Sequence, residues 1–306
     1  MTTLVLGHKS PDTDSTGSPL IWAWYLSEIR NTPAKAVLLG QPNTEAAFVL
    51  RHWGFAQPEI IADVTAEDSV VIVDTNNPAE LPPSINEAKV KAIIDHHMLV
   101  GGLKTKTPIE VIIRPLACTA TVMHDIIGAD LAKAPRAIKG VMLSCILSDT
   151  LAFRSPTTTP HDKAVAEALA GDLGLDIAAF AAEMFAAKSD VSAFSDAELL
   201  RMDSKEYNVA GKELRVSVLE TTAPAVVLDR KASLMAAMPA VATEDGADQV
   251  LLFVVDILRE EATLLVPNDL VRQLAEASFG VKVSGDQVVL PGVMSRKKQI
   301  IPALKL

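Results

Sequence analysis

Short, continuous apolar runs alternate with longer stretches of helical period from the N-terminus to about residue 188. The runs at 3–6, 36–39, 69–73, 90–94 and 110–113 predict strands. Apart from Lys91 and a polar residue at some starts, they are apolar at successive positions rather than at every second one, which marks strands buried on both faces. Between them, residues 20–30 predict a helix with Ser18 as cap and Pro19 at its first position, and residues 44–52 predict another behind Asn43. Such strands separated by helices build a mostly parallel sheet with helices on both faces, an α/β fold. After residue 113 the pattern turns helical, over 119–127, 134–148, 162–170 and 176–187.

Residues 189–195 are polar and lack a helical period, which predicts a linker or hinge between a first domain at 1–188 and a second at 196–306. Ser195 and Glu198 have the spacing of a capping box that starts the next element. The second domain reads as a smaller α/β unit, with strands at 214–219, 250–255, 263–266 and 287–290 and helices at 230–240 and 269–279. Gly285-Asp286 marks a turn before the last strand.

The 306 residues suffice for two sizeable cores. Hydrophobic residues make up 49% and aromatics only 4%, so those cores are aliphatic. A formal net charge of −10 argues against a nonspecific nucleic-acid binder, which needs a basic face. Cys118 and Cys145 have neither CxxC nor metal-type spacing and read as buried thiols in a reducing compartment. No apolar run reaches membrane-spanning length and no signal-peptide pattern opens the chain, so a cytoplasmic, soluble protein without membrane contact is expected.

The chemistry gathers at the ends of the predicted strands. His8 follows the first, with Asp12 and Asp14 in a loop that Pro11 and Gly17 shape; Asp74-Thr75-Asn76 follows the third; Asp95-His96-His97 follows the fourth. In parallel sheets ligands bind beyond the carboxyl ends of the strands. Taken alone, an Asp-rich loop is usually a cap or a turn. Asp149 ends an apolar helix, where the macrodipole disfavours a carboxylate unless a cation compensates. His8, Asp12, Asp14, Asp74, His96 and Asp149 together offer imidazole and carboxylate without thiolate, which suits Mn²⁺, Co²⁺, Mg²⁺ or Zn²⁺. Six donors exceed what one catalytic ion with an open position needs and fit two ions about 3.5–4 Å apart.

These motifs, in this order and with Ser148-Asp149-Thr150 as the fourth, resemble those of the DHH phosphoesterase superfamily. The segment around Lys205 and the ending Ser295-Arg296-Lys297-Lys298-Gln299 narrow the likeness to the family II, manganese-dependent inorganic pyrophosphatases, over essentially the whole chain. The resemblance implies that His8 and Asp12 hold one metal, that Asp14 and His96 hold the other, and that Asp74 and Asp149 serve both. It implies an active site in the cleft between a DHH domain and a DHHA2-like substrate domain. There His97, Lys205, Arg296 and Lys297 bind pyrophosphate and act in catalysis, and further Mg²⁺ arrives with the substrate. A metal-bridging hydroxide would attack phosphorus, with no covalent intermediate. Asp95 would orient an imidazole or nearby backbone. A homodimer through the first domain is also implied, without nucleic-acid partners and, for want of a nucleotide-binding insert, without adenylate regulation. Two other readings remain: a DHH-type phosphoesterase acting on short oligonucleotides or polyphosphate, and a metal-binding module without turnover. Lys9 either reaches phosphate or is solvated, and Lys298 has no settled role. His52, His124 and His161, without carboxylate company, read as structural.

Overall fold

The computed structural model describes residues 2–305, the side chain of Lys297 excepted, and the chain divides into two compact units between Lys188 and Ser189. In the first unit, β1 (Thr3–Leu6), β2 (Ala34–Leu38), β3 (Glu59–Ile60), β4 (Ser69–Val73), β5 (Lys89–Asp95) and β6 (Glu110–Ile113) form a six-stranded sheet in the order β3-β2-β1-β4-β5-β6. Every pairing is parallel. The order reverses direction between β1 and β4, which opens a crevice beyond their carboxyl ends. Leu6, Val37, Val70, Ile72 and Val90 fill a core on one face of the sheet. The two-residue β3 is too short to leave a pattern in the sequence.

The helix after β1 differs from the expectation. α1 runs Thr13–Trp24, not from residue 20. Its cap is Asp12, whose carboxylate accepts from Ser15 N at 2.9 Å, so the Asp-rich loop is a helix start as well as a candidate site. Pro19 lies inside the helix, and Ser18 is buried and donates to Asp14 Oδ1 at 2.6 Å instead of capping. Gly17 does not shape a loop. A Cβ there would sit 2.7 Å from Val141 of α4 (Arg136–Asp149), so the glycine lets two helices close on each other. Gly7 likewise leaves room for Ser15, whose hydroxyl accepts from His8 N at 2.8 Å.

The remaining helices of this unit are α2 (Thr44–His52), α3 (Thr119–Ile127), α5 (Pro160–Leu173) and α6 (Ile177–Lys188). Thr159 and Asp162 form a capping box at the start of α5.

In the second unit, α7 (Asp196–Met202) starts from the capping box of Ser195 and Glu198. A mixed sheet follows, ordered β11-β10-β9-β8-β7, from β7 (Ser204–Val209), β8 (Lys212–Thr221), β9 (Gln249–Asp256), β10 (Glu261–Leu265) and β11 (Gln287–Pro291). Among the described residues of this sheet, β8 and β9 alone pair in parallel. β9 is buried at every position, and its alternate side chains serve opposite faces. Leu251, Phe253 and Val255 pack with α10 (Asp269–Phe279), whereas Val250, Leu252 and Val254 pack with α7, α8 (Pro224–Leu228) and α9 (Lys231–Glu244). β7 has a polar, half-exposed pattern that its sequence does not announce as a strand. Residues 189–195 hold no helix or strand, yet they are tied to this unit: Ser189 is buried against Thr221, and Arg230 donates to the carbonyls of Val191 and Phe194.

Candidate metal centre

The carboxyl ends of β1, β4 and β5 bring their motifs together. His8 Nε2 lies 3.7 Å from Asp12 Oδ2 and 3.6 Å from Asp74 Oδ2, and His96 Nε2 lies 3.4 Å from Asp74 Oδ1. Three overlapping groups each have ligand atoms within 4.8 Å of one another: His8, Asp12 and Asp74; Asp14, His96 and Asp149; and Asp74, His96 and His97. The first two hold all the donors read from the sequence, with Asp74 and His96 joining them through the third.

Local hydrogen bonds aim these donors. His96 Nδ1 is 3.1 Å from Leu116 O, a pure acceptor, so that nitrogen carries the proton and Nε2 presents its lone pair toward Asp74. Asp95, fully buried, accepts from His96 N, His97 N and Asn76 Nδ2, and its Oδ1 lies 2.9 Å from His97 Nδ1. It fixes the loop that carries both imidazoles. Asp74 has φ +59°, a left-handed conformation that aspartate tolerates better than most residues and that turns the chain sharply at the strand tip. Leu151, Ala152 and Phe153, just after Asp149, also have positive φ, so backbone strain collects beside two of the donors.

The electrostatics are unfavourable for bare carboxylates. Burial pushes the Asp74 carboxyl well above its ordinary range, and the charges of Asp14, Asp12 and Asp149 push it further. Burial does the same to Asp149, with Asp14 and Asp12 adding to it, and Asp149 Oδ2 is enclosed without a hydrogen-bond partner. At Asp12, burial works upward but hydrogen bonds from His8 and Ser15 N outweigh it, leaving the carboxyl low. An oxygen and nitrogen donor set, a buried orphan oxygen and carboxylates raised by burial and by neighbouring charge fit divalent cations of the borderline to hard kind.

A cavity of about 540 Å³ opens beside these groups, lined among others by His8, Lys9, Asn76 and His97. Hydrogen bonding to Asp95 raises the pKa of half-exposed His97. Lys9 Nζ donates to Ala79 O at 3.3 Å.

Within the second unit, Arg296 is half-buried and paired with Asp203, Nη1 to the backbone oxygen at 2.7 Å and Nη2 to Oδ1 at 2.8 Å. Asp203 directly precedes β7, so Arg296 is brought to the end of the strand that carries exposed Lys205. The Lys297 side chain lies outside the described residues.

Several supporting residues escaped the sequence reading. Thr119 donates its N–H to Asp14 Oδ2 at 2.7 Å and its hydroxyl to Asp74 Oδ1 at 3.2 Å. Cys118, a buried thiol as expected, also donates to Asp14 Oδ2. Glu45 is fully buried; Oε1 accepts from Thr13 Oγ1 at 2.6 Å and from the Ser148 hydroxyl, next to Asp14 and Asp149 respectively. Lys188 Nζ stands 3.8 Å from Glu45 Oε2. A glutamate near the start of a helix looks like any first-turn acid, so no linear signal marks it.

Comparison with known proteins adds the lineage. Residues 2–149 match the DHH family N-terminal domain, and residues 182–306 match the DHHA2 domain. A Deinococcus radiodurans protein named "Probable manganese-dependent inorganic pyrophosphatase" is 40% identical over 307 residues, covering 98% of this chain and 97% of its own length. A Lactobacillus acidophilus protein of the same name is 34% identical over 302 residues, covering 98% and 96%. A solved Methanococcus jannaschii structure, described as a candidate family II inorganic pyrophosphatase, superposes with a TM-score of 0.62 at 33% identity over 99% of this chain and 98% of that one. An exopolyphosphatase-related protein from Bacteroides fragilis, 12% identical with a TM-score of 0.53, shares the fold. Fold and domain matches thus define an enzyme of the DHH class. Within that class, the chain belongs to the family of manganese-dependent, family II inorganic pyrophosphatases.

Proposed function

We propose that the protein hydrolyses inorganic pyrophosphate to two phosphates at a two-ion manganese centre held by His8, Asp12, Asp14, Asp74, His96 and Asp149. The observation that carries this reading is the pair of donor groups joined through Asp74 and His96, gathered from the tips of β1, β4 and β5, the start of α1 and the end of α4, beside a cavity lined in part by His97 and Lys9. The names of the relatives supply the substrate.

The chain's own residues divide the work. His8 and Asp12 would hold one ion, Asp14 and His96 the other, and Asp74 and Asp149, whose ionised forms burial and the charges of Asp14 and Asp12 disfavour, would serve both and be stabilised as carboxylates by the cations. When bound, the ions supply an acidified water as nucleophile near neutral pH and neutralise charge on the phosphates. His97, its proton held more firmly because Asp95 accepts from it, donates a hydrogen bond to a phosphate oxygen. Lys205, Arg296 and Lys297 neutralise the substrate from the second unit, Arg296 through a guanidinium fork that Asp203 orients. Magnesium accompanies pyrophosphate, and Co²⁺ or Mg²⁺ can stand in for manganese. No helix among the described residues is long and apolar enough to cross a membrane. We assign the protein to the cytoplasm as a homodimer formed through the first unit, acting on a small anion rather than on nucleic acid.

The test is phosphate release in Mn²⁺ from pyrophosphate, a short polyphosphate and a short oligonucleotide, side by side. The reading expects pyrophosphate to be preferred by orders of magnitude. Turnover of either polymer without turnover of pyrophosphate would overturn it.

A further inference from the structure

One cluster of ligand-type side chains lies outside the centre and has no part in it. His124 and Asp125 lie in the last turn of α3, and His161 lies in the first turn of α5. The sequence leaves these histidines without a carboxylate, and the structure corrects this. His161 Nε2 is 2.7 Å from Asp125 Oδ1, and His124 Nδ1 is 3.4 Å from the same oxygen. One ligand atom from each of the three residues falls within 4.8 Å of the others. Arg114, just past β6, donates Nη1 to Asp125 Oδ2 at 2.7 Å, which fixes the carboxylate and leaves Oδ1 to the imidazoles. A tetrahedral ion with bonds of about 2.0–2.1 Å sets its ligands roughly 3.3 Å apart. The two distances to Oδ1 bracket that spacing, and all three side chains are partly exposed, so an ion can enter from solvent.

We propose that His124, Asp125 and His161 form a second metal site, separate from the carboxylate-rich centre, that takes a borderline divalent cation such as Zn²⁺, with water completing the tetrahedron. The donor set decides the preference. One carboxylate already faced by a guanidinium offers a hard ion little electrostatic attraction, so most of the binding energy comes from imidazole, which favours zinc over manganese or magnesium.

The site bridges elements that support the catalytic carboxylates. α3 begins with Thr119, which donates to Asp14 and Asp74. The neighbour of His161, Asp162, accepts from Ala117 N at 3.1 Å. An ion between α3 and α5 therefore braces the helix that holds those donors.

The experiment counts zinc by equilibrium dialysis on the full chain in excess Mn²⁺. It compares Asp74→Asn, which weakens the main centre, with the same protein also carrying His124→Ala and His161→Ala. The expected result is the loss of one zinc per chain and of the zinc-dependent rise in melting temperature. Equal zinc and an equal melting shift in both proteins overturn the proposal. His161→Ala alone should retain Mn²⁺-supported pyrophosphate hydrolysis, which verifies folding. On Asp74→Asn itself, Co²⁺ should give the intense visible bands of a tetrahedral site, bleached by one equivalent of Zn²⁺. An octahedral spectrum overturns the assignment independently.

Discussion

The donors around Asp74 and the cations of the second unit are built in opposite ways. Asp74 and Asp149 are raised first by burial and then by the like charges of Asp14 and Asp12 beside them. Arg296 has found a carboxylate of its own in Asp203, and Lys205 is exposed on β7. The first region gathers negative charge without a compensating cation of its own; in the second, Arg296 is already paired. Metal should therefore govern the stability of the first unit, whereas the basic residues should matter only when substrate is present.

The largest effect should come from Asp74→Asn, which removes a charge from the residue shared by two donor groups. Pyrophosphate hydrolysis should fall about 10³-fold with loss of metal. Lys205→Ala should leave metal content unchanged and raise KM about 10- to 100-fold, the worth of one charge-assisted hydrogen bond. Metal loss in the second variant would dissolve the contrast between the two regions.

Next in size is Glu45→Ala, which strands the Thr13 and Ser148 hydroxyls in the core. Urea unfolding should show about 2–3 kcal/mol lost, with weaker manganese binding. Glu45→Gln, which keeps an acceptor, should recover much of both.

The pH dependence of the metal-free protein sharpens the comparison further. Carboxyls raised in the folded state bind more protons there than when unfolded, where they titrate near 3.9. Stability therefore falls as pH rises from about 4 through the raised values of Asp74 and Asp149. The melting temperature of the metal-free chain should be higher at pH 5 than at pH 7, and Mn²⁺ should abolish or reverse that slope. Asp149→Asn should flatten it without metal. The smallest effect is local. Ala152→Gly removes a Cβ from a left-handed position and should stabilise by about 0.5–1 kcal/mol, read as a small rise in melting temperature.

The sequence carried the parallel sheet because β1 and β4, and β5 apart from its lysines, are apolar at successive positions, a pattern that suits a doubly covered strand. It pointed to Asp74 and His96 as candidate donors because Asp74 and Asp95-His96-His97 stand where those runs stop. It misplaced the start of α1 because Pro19 and Ser18 imitate a helix start, while the working cap is Asp12, itself one of the donors. One residue served two purposes, and the propensity signal followed the wrong one. β7 was silent because an edge strand with one wet face has no apolar run to show. Thr119, Glu45 and Asp125 were illegible for another reason: their partners lie far away in sequence or on a neighbouring helix, and only the fold brings them together.

The central claim is that two manganese ions share the donors joined through Asp74. Its most direct test is the number of Mn²⁺ ions bound per chain after equilibrium dialysis, in wild type and Asp74→Asn together. Two ions in the wild type and fewer than one in the variant are predicted. A single ion in the wild type, or the same number in both proteins, would contradict it.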